Sequence, residues 1–260
     1  ISAGYEQFPI NKLGRREIRL SNASGVNADA VSQHAMGLIL GLSRQLHFAR
    51  DHQTKRFWRP MISDHAQRED DLCGQTMVII GLGEIGSRLA KLAKAFGMRI
   101  IYYDPNTDPQ SLEDDGFHKV DFDYLIRESE FISLHVPGTA DNSGMIGKDE
   151  FLAMKPEAFL INCARGNLVD EDALYDALIS GHIAGAGIDV LIDLSPSSDD
   201  RMFQLENLIV TPHTAYFSQE ATLELEQRAA GEVARVLQGN MPDNLVNPDV
   251  LSHSDPRHTL

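Results

Sequence analysis

The chain has 260 residues and a formal net charge of −15. A negative balance of this size opposes binding to nucleic acid or anionic membranes, and no apolar run is long enough to span a bilayer. Two cysteines provide no disulfide framework and favour the reducing cytoplasm, and the absence of zinc-type Cys/His spacing predicts that no metal is bound.

The first 75 residues predict the end of one domain, then a helix and an irregular arm. We interpret residues 1–25 as the remnant of a small α/β unit with a strand at 18–20. Ile1 is an unusual first residue, so we expect further chain before it. Apolar residues at helical spacing predict a helix from 27 to about 51, whereas 52–75 is polar and irregular.

Beyond this point strands and helices alternate. The predicted strands are 76–80, 98–103, 131–136, 158–162, 185–189 and 207–211, and the predicted helices lie near 85–96, 121–128, 148–154, 170–180 and 217–238. This alternation predicts an α/β fold with a doubly wound parallel sheet, that is, a Rossmann domain. The final helix would return the chain towards its start. We therefore predict a nucleotide-binding domain, 26–215, inserted into a second domain made of 1–25 and 216–260.

The first predicted strand and the following helix enclose Gly81-Leu82-Gly83-Glu84-Ile85-Gly86. In this order Gly81 permits a tight turn, Gly83 lets the backbone approach a pyrophosphate, and Gly86 lets the helix lie close to the strand. The N–H groups of the first helical turn, which includes Glu84 and Ile85, would face the phosphates. The alternative is a glycine turn without a function.

Asp104 ends the second predicted strand, 23 positions after Gly81. A carboxylate at this place accepts hydrogen bonds from the ribose hydroxyls of a dinucleotide. Its charge would repel a 2′-phosphate, so Asp104 predicts NAD rather than NADP as the cofactor.

Three further segments follow predicted strands. They are Asn162-Cys163-Ala164-Arg165-Gly166, Gly187-Ile188-Asp189-Val190 and Thr211-Pro212-His213-Thr214-Ala215. Ligands of open α/β sheets bind at the carboxyl ends of the strands. An arginine, an aspartate and a histidine are thus predicted at one edge of the sheet.

On these motifs the sequence resembles the D-isomer-specific 2-hydroxyacid dehydrogenases, the family of phosphoglycerate dehydrogenase and glyoxylate/hydroxypyruvate reductase. The resemblance covers nearly the whole chain and further includes Ser2-Ala3-Gly4, Gly25-Val26-Asn27-Ala28, Tyr103-Asp104-Pro105 and His135-Val136-Pro137. It implies that residues 1–25 and 216–260 belong to a flavodoxin-like substrate domain that is only partly present. It also implies that the helix at 27–51 and the arm containing Trp58 form a homodimer interface. Packing of this helix within one subunit is the alternative.

The resemblance implies an oxidoreductase that interconverts a small 2-keto acid and its D-2-hydroxy acid. His213 would act as general acid and base, and Arg165 would anchor the substrate carboxylate and keto oxygen. The N–H groups of Ala3 and Gly4 would hold the carboxylate from the other side. Asp189 would bind the nicotinamide carboxamide. Main-chain atoms would line the nucleotide at Val136, Pro137, Cys163 and Ala164.

Each of these residues also has an alternative interpretation without a role in catalysis or cofactor binding. The alternative for Arg165 is a surface ion-pair residue, for His213 a helix cap, and for Asp189 an N-cap or loop residue. We interpret the side chain of Cys163 as a small packing group, because no histidine–acid pair accompanies it. His135 is interpreted as a residue that orders its loop.

The sequence departs from the family pattern at the partner of the histidine. Most members have a glutamate five residues after the position of Asp189, whereas this chain has Leu194. An acid partner orients an imidazole and stabilises its protonated form, and leucine does neither. We therefore predict that His213 works with a lowered pKa, or with Asp193 as a substitute partner, and that the enzyme is slow or acid-shifted. Glu84 and Asn142 are milder departures, at positions where the family often has arginine and threonine.

Two other functions stay open at this point. A dehydrogenase-like NAD(H) sensor that binds proteins, as the corepressors resembling this family do, is one of them. Its sequence support is the aromatic segment Ala215-Tyr216-Phe217-Ser218. The other is an inactive gene fragment.

Overall fold

A computed structural model describes residues 4–5, 8–47, 71–107 and 115–253 of the chain. Two compact units are present: Ile1–Ala30 with Tyr216–Leu260, and Val31–Ala215. The arm that contains Trp58 lies outside the described residues. None of the helices in the described ranges combines the length and the apolarity that crossing a bilayer requires.

The larger unit is built on a seven-stranded parallel sheet. Its strands are β1 (Thr76–Ile80), β2 (Arg99–Tyr103), β3 (His118–Lys119), β4 (Phe131–Leu134), β5 (Phe159–Asn162), β6 (Gly185–Ile188) and β7 (Leu208–Val210). They lie in the order β3-β2-β1-β4-β5-β6-β7, and every neighbouring pair is parallel. The direction of winding reverses between β1 and β4, so a crevice is expected at the carboxyl ends of these two strands.

Helices cover both faces of this sheet. In chain order they are α2 (Ala28–Ser43), α3 (Glu84–Ala95), α4 (Phe122–Glu128), α5 (Lys148–Ala153) and α6 (Glu171–Ile179), preceded by α1 (Ile10–Gly14) of the smaller unit. The central strand β1 is buried on both sides: Val78 and Ile80 belong to one apolar cluster, and Met77 and Ile79 to the other. A continuous apolar run such as 76–80 is what a parallel strand between two helical layers requires. The predicted doubly wound sheet is confirmed.

The first helix is shorter than predicted. We expected one helix from 27 to about residue 51, but α2 ends at Ser43 and Gln45 adopts a left-handed backbone with φ of 47°. Helical backbone resumes at residues 46–47, and 48–51 lie outside the described residues. The hydrophobic pattern continues through Leu46, whose side chain is 57% exposed. The spacing of apolar residues therefore did not reveal the break, because it is unchanged by the left-handed backbone of Gln45.

The smaller unit contains α1 and the long helix α7 (Gln219–Leu237). The strand predicted at 18–20 is wrong. Next to the segment, Ser21 forms one antiparallel bridge with Leu245. The carbonyl of Leu20 accepts from the N–H of Val246 at 2.8 Å, and two further hydrogen bonds involve the side chain of Asn247. That amide accepts from the N–H of Leu20 at 2.8 Å and donates to the carbonyl of Ile18 at 2.9 Å. A side chain here takes the place of a neighbouring strand.

Candidate functional site

The glycine turn after β1 has the geometry that its spacing predicts. Gly81 has φ of +93°, and its N–H donates to the carbonyl of Tyr103 at 2.9 Å. A methyl group at Gly86 would lie 2.1 Å from the carbonyl oxygen of Gly81, whereas one at Gly83 would have no atom within 4 Å. Gly86 is thus needed for contact between helix and strand. Gly83 leaves open space beside the N-terminus of the helix.

Helix α3 begins at Glu84, directly after Gly83, with no side-chain cap on its first N–H groups. Uncapped N–H groups and the helix dipole favour a bound anion. The carboxylate of Glu84 is 66% exposed and pairs with Arg88 at 2.5 Å. Its charge is therefore partly compensated, which removes the objection that a carboxylate in this turn would repel phosphate. Ile85 is half-buried and packs against the core on the α3 face.

Asp104 follows β2 and joins that strand to the glycine turn. Its Oδ2 accepts from the N–H of Leu82 at 2.9 Å, and its Oδ1 accepts from the N–H of Asn106 at 2.8 Å. Burial by itself raises the pKa of Asp104, but these two N–H donors and weaker partners outweigh it and hold the pKa below its usual value. The carboxylate is thus charged at neutral pH. With hydrogen bonds from Leu82, Asn106 and the Thr107 side chain, the carboxylate has accepting capacity left for a ribose hydroxyl.

The loop after β4 lies against the same turn. A methyl group at Gly81 would come within 2.7 Å of the Val136 side chain and 2.8 Å of the His135 carbonyl oxygen. Nε2 of His135 is 2.8 Å from the Ser133 hydroxyl, while its Nδ1 is buried and makes no hydrogen bond to the described residues. Burial lowers the pKa of His135 to about 4, so the ring is neutral. Val136 thus lies against the glycine turn.

Asn162, at the end of β5, shapes the loop that carries Arg165. Its side-chain amide donates to the carbonyl of Arg165 at 2.8 Å and accepts from the N–H of Ala164 at 3.0 Å. Arg165 is half-buried, and its Nη1 donates to the carbonyl of Ala164 at 2.7 Å. Sequence reasoning assigned no role to Asn162. An asparagine at the carboxyl end of an otherwise apolar predicted strand was the signal that could have indicated one.

The Arg165 loop packs against the loop that follows β6. A methyl group at Gly166 would lie 2.4 Å from the carbonyl carbon of Leu191. Glu171, at the start of α6, accepts from the N–H of Ile192 at 2.6 Å and so holds this second loop. Burial raises the pKa of Glu171, and neighbouring aspartates raise it further against the hydrogen bond from Ile192. Glu171 is a second residue that sequence reasoning missed.

Leu194 lies in that second loop with its side chain 79% exposed. The neighbouring Asp193 is also exposed, and its Oδ1 accepts from the N–H of Ser195 at 2.9 Å within its own loop. Leucine therefore occupies a solvent-facing position and is not a buried replacement for a polar partner.

Asp189, directly after β6, organises the loop that carries His213. Its side chain is 1% exposed. The carboxylate accepts from the Thr211 hydroxyl at 2.6 Å and from the N–H groups of Thr214 and Ala215 at 2.9 Å each. Its main-chain oxygen accepts from the N–H of His213 at 2.9 Å. The interpretation of Asp189 as a residue that orders a loop thus agrees with these hydrogen bonds.

His213 has an exposed side chain and a left-handed backbone with φ of 53°. A non-glycine residue in this region costs on the order of 1–3 kcal/mol and persists only where its surroundings enforce it. Here the enforcing contacts come from Asp189. They project the imidazole from the carboxyl edge of the sheet, beyond the core.

The structure brings most of the predicted residues to one edge. Strands β5, β6 and β7 are adjacent, and the N–H of Asp189 donates to the carbonyl of Asn162 at 2.9 Å, so the loops of Arg165 and His213 flank Asp189. Ala3 lies outside the described residues, and Gly4 belongs to the smaller unit. Over the described ranges no group of three or more metal-binding side chains comes together.

The two cysteines differ in exposure, and this difference is testable. Cys73 is exposed and Cys163 is buried. Burial raises the pKa of the Cys163 thiol, and the negative charge of Asp189 raises it further. We expect one thiol to react rapidly with a disulfide reagent in the native protein and two in denaturant, as followed by absorbance. A Cys73→Ser variant should lose the rapid reaction. Rapid labelling of that variant would contradict the packing role of Cys163.

The sheet order, the glycine turn and the carboxylate after β2 define a dinucleotide-binding domain. Residues 36–215 match the family model described as D-isomer specific 2-hydroxyacid dehydrogenase, NAD binding domain. The chain belongs to the D-isomer-specific 2-hydroxyacid dehydrogenase family. It is an oxidoreductase of this class, and its cofactor is NAD.

Relatives with assigned names agree with this membership. The chain is 39% identical to a glyoxylate reductase of Thermococcus litoralis, over 98% of this chain and 78% of that one. A D-lactate dehydrogenase from Aquifex aeolicus, complexed with NAD and lactic acid, superposes with a TM-score of 0.87 at 29% identity, over 94% of this chain and 78% of that one. An acyclic imino acid reductase in complex with NADPH and D-Arg has a TM-score of 0.85 at 30% identity, over 94% and 76% of the two chains.

Proposed function

We propose that this protein reduces a small 2-keto acid, such as glyoxylate or hydroxypyruvate, to its D-2-hydroxy acid with NADH. The observation that carries the proposal is the pair of loops on either side of Asp189. One carries a guanidinium and the other an imidazole in an enforced left-handed backbone. A keto acid requires an anchor for its carboxylate and a proton for its oxygen, and these two groups supply them.

NADH, when bound, supplies the hydride. The residues for its binding are the turn from Gly81 to Gly86 for the pyrophosphate, Asp104 for the ribose, and main-chain atoms of Val136, Pro137, Cys163 and Ala164. The carboxylate of Asp189 already accepts three hydrogen bonds from the loop that carries His213. A hydrogen bond from the nicotinamide carboxamide would therefore use a remaining lone pair of this carboxylate.

In the proposed reduction Arg165 donates hydrogen bonds to the substrate carboxylate and to the keto oxygen. This orients the carbonyl and stabilises the negative charge that develops on its oxygen. Protonated His213 donates its proton to that oxygen and becomes neutral. In the reverse direction neutral His213 accepts the hydroxyl proton.

The proposal extends to the architecture. Residues 1–25 and 216–260 form part of a substrate domain, 26–215 is the NAD-binding domain, and 27–75 provides the helix and arm of a homodimer. Val31, Leu38 and Leu42 of α2 are buried in the apolar core of the same chain, so the homodimer proposal rests on the family resemblance and not on these side chains. Two free thiols support a cytoplasmic location.

A screen of 2-keto acids with purified full-length protein and NADH, followed by absorbance at the nicotinamide band, tests the function. We expect turnover of at least one small 2-keto acid and a D-configured product. Replacement of Arg165 by Gln should abolish turnover without preventing NADH binding. Turnover of L-hydroxy acids alone, or none with any keto acid, would contradict the proposal.

A second candidate, an NAD(H)-sensing module that binds proteins, has its own support. In the aromatic segment that resembles the corepressors, Tyr216 and Phe217 are neighbours and are 46% and 71% exposed. NADH binding without turnover of any keto acid would favour this candidate.

The exchange of Leu194 for Glu is the direct test of the missing acid partner. We expect Leu194→Glu to raise kcat about tenfold and to move the basic limb of the pH–rate profile to higher pH, because a carboxylate stabilises the protonated imidazole. Leu152→Glu places the same charge at an exposed leucine of α5 and serves as the control. A limb unmoved by Leu194→Glu would show that this position does not face the histidine.

A further inference from the structure

A histidine on α2, His34, contacts Thr211 and lies near Asp189, two residues that shape the loop of His213. Nε2 of His34 lies 2.9 Å from the hydroxyl oxygen of Thr211 and 3.7 Å from Oδ1 of Asp189. The His34 side chain is 25% exposed, whereas that of Asp189 is 1% exposed. All three residues belong to the larger unit.

The direction of these hydrogen bonds follows from counting hydrogens. The hydroxyl oxygen of Thr211 lies 2.6 Å from Oδ1 of Asp189. A carboxylate oxygen only accepts, so the single hydroxyl hydrogen of Thr211 is donated to Asp189. The hydroxyl oxygen of Thr211 must then accept from His34. The imidazole of His34 therefore carries a hydrogen on Nε2.

This chain leads to the backbone of His213. The Asp189 carboxylate, which accepts a hydrogen bond from Thr211, also accepts hydrogen bonds from the N–H groups of Thr214 and Ala215. These two residues directly follow His213 in the chain. Without a donor at His34, the Thr211 hydroxyl is free to rotate, and it can leave Asp189. The carboxylate then loses its shortest hydrogen bond and the nearby imidazole together.

We infer that His34 is a positioning residue for the reaction. It orients the Thr211 hydroxyl towards Asp189, and so holds the loop that keeps His213 in its left-handed backbone. His34 acts through Thr211 and contacts neither substrate nor cofactor. The inference rests on the proposed role of His213 and deepens it.

The test compares variants at both ends of the contact. His34→Leu removes the donor, and His34→Gln retains an N–H at similar reach. We expect His34→Leu to lower kcat about tenfold with the Kd for NADH unchanged, since one hydrogen bond of ordinary strength is lost from the loop and not from the nucleotide site. His34→Gln should restore kcat to within about threefold of the unmodified protein.

A double-variant comparison identifies the route. If His34 acts through Thr211, adding His34→Leu to Thr211→Val should cost little beyond Thr211→Val alone. The control is His47→Leu, at a histidine that hydrogen-bonds the main-chain oxygens of Gly41 and Glu206. It should leave kcat unchanged.

Hydrogen exchange provides a readout that is independent of turnover. In the full-length protein the amides of Thr214 and Ala215 should exchange about tenfold faster in His34→Leu and at the original rate in His34→Gln. Equal exchange in all three proteins, or equal effects of Leu and Gln, would overturn the inference. If the unmodified protein reduces no keto acid, the proposed function fails, while the exchange rates still decide whether His34 holds the loop.

Discussion

Replacement of His213 by Gln is expected to lower kcat about 10²–10⁴-fold, the range that general acid–base catalysis supplies. Glutamine keeps a polar side chain but has no proton to donate to a developing alkoxide at neutral pH. The dissociation constant of NADH, measured by its fluorescence on binding, should change little. Rapid-mixing measurements of the hydride step with saturating keto acid provide the rate.

The matched control is His118→Gln, which exchanges an exposed histidine on the edge strand β3. It should retain the kcat of the unmodified protein. A His213→Gln variant that turns over at a rate close to this control would exclude His213 as the acid. The general acid would then have to be another group at the same edge of the sheet.

Two glycine substitutions should separate folding from nucleotide binding. Gly86→Ala places a methyl group 2.1 Å from the Gly81 carbonyl oxygen and 2.9 Å from the Ile79 side chain. We expect it to lower the free energy of unfolding by about 1–3 kcal/mol or more, as overpacking of a rigid contact does. Urea unfolding followed by circular dichroism measures this loss.

Gly83→Ala places its methyl group in open space, so the free energy of unfolding should change by less than about 1 kcal/mol. The same methyl group occupies the space through which the backbone approaches a pyrophosphate. We expect the affinity for NADH to fall at least about tenfold, a loss of about 1.4 kcal/mol. If Gly83→Ala bound NADH normally while Gly86→Ala folded normally, the assignment of the glycine turn would be wrong.

The elements of the larger unit were accessible to sequence reasoning because each has a local signal. The run from Thr76 to Ile80 is apolar throughout, and the glycine spacing after it has few other uses. The termini of these elements shifted by one or two residues, as local patterns allow. The edge strand β3 was missed, since two exposed residues have no periodicity to detect.

Residues whose roles depend on distant partners were not accessible in the same way. Glu171 and His34 carry no motif of their own. Their roles became visible only from hydrogen bonds to loops 21 and 177 positions away. The end of α2 at Ser43 belongs to this class too, because Gln45 is not a residue that commonly stops a helix.

Local sequence patterns were sufficient to predict the alternating α/β architecture and the glycine turn, and they indicated Arg165 and His213 as candidates for the chemistry. Those patterns involve neighbouring residues, and neighbouring residues are what a sequence lists. The hydrogen bonds from the His213 loop to buried Asp189, and the contact of His34 on α2 with Thr211, are present only in the folded chain. Such contacts depend on which strand ends meet at one edge of the sheet, and packing of the complete sheet sets that arrangement.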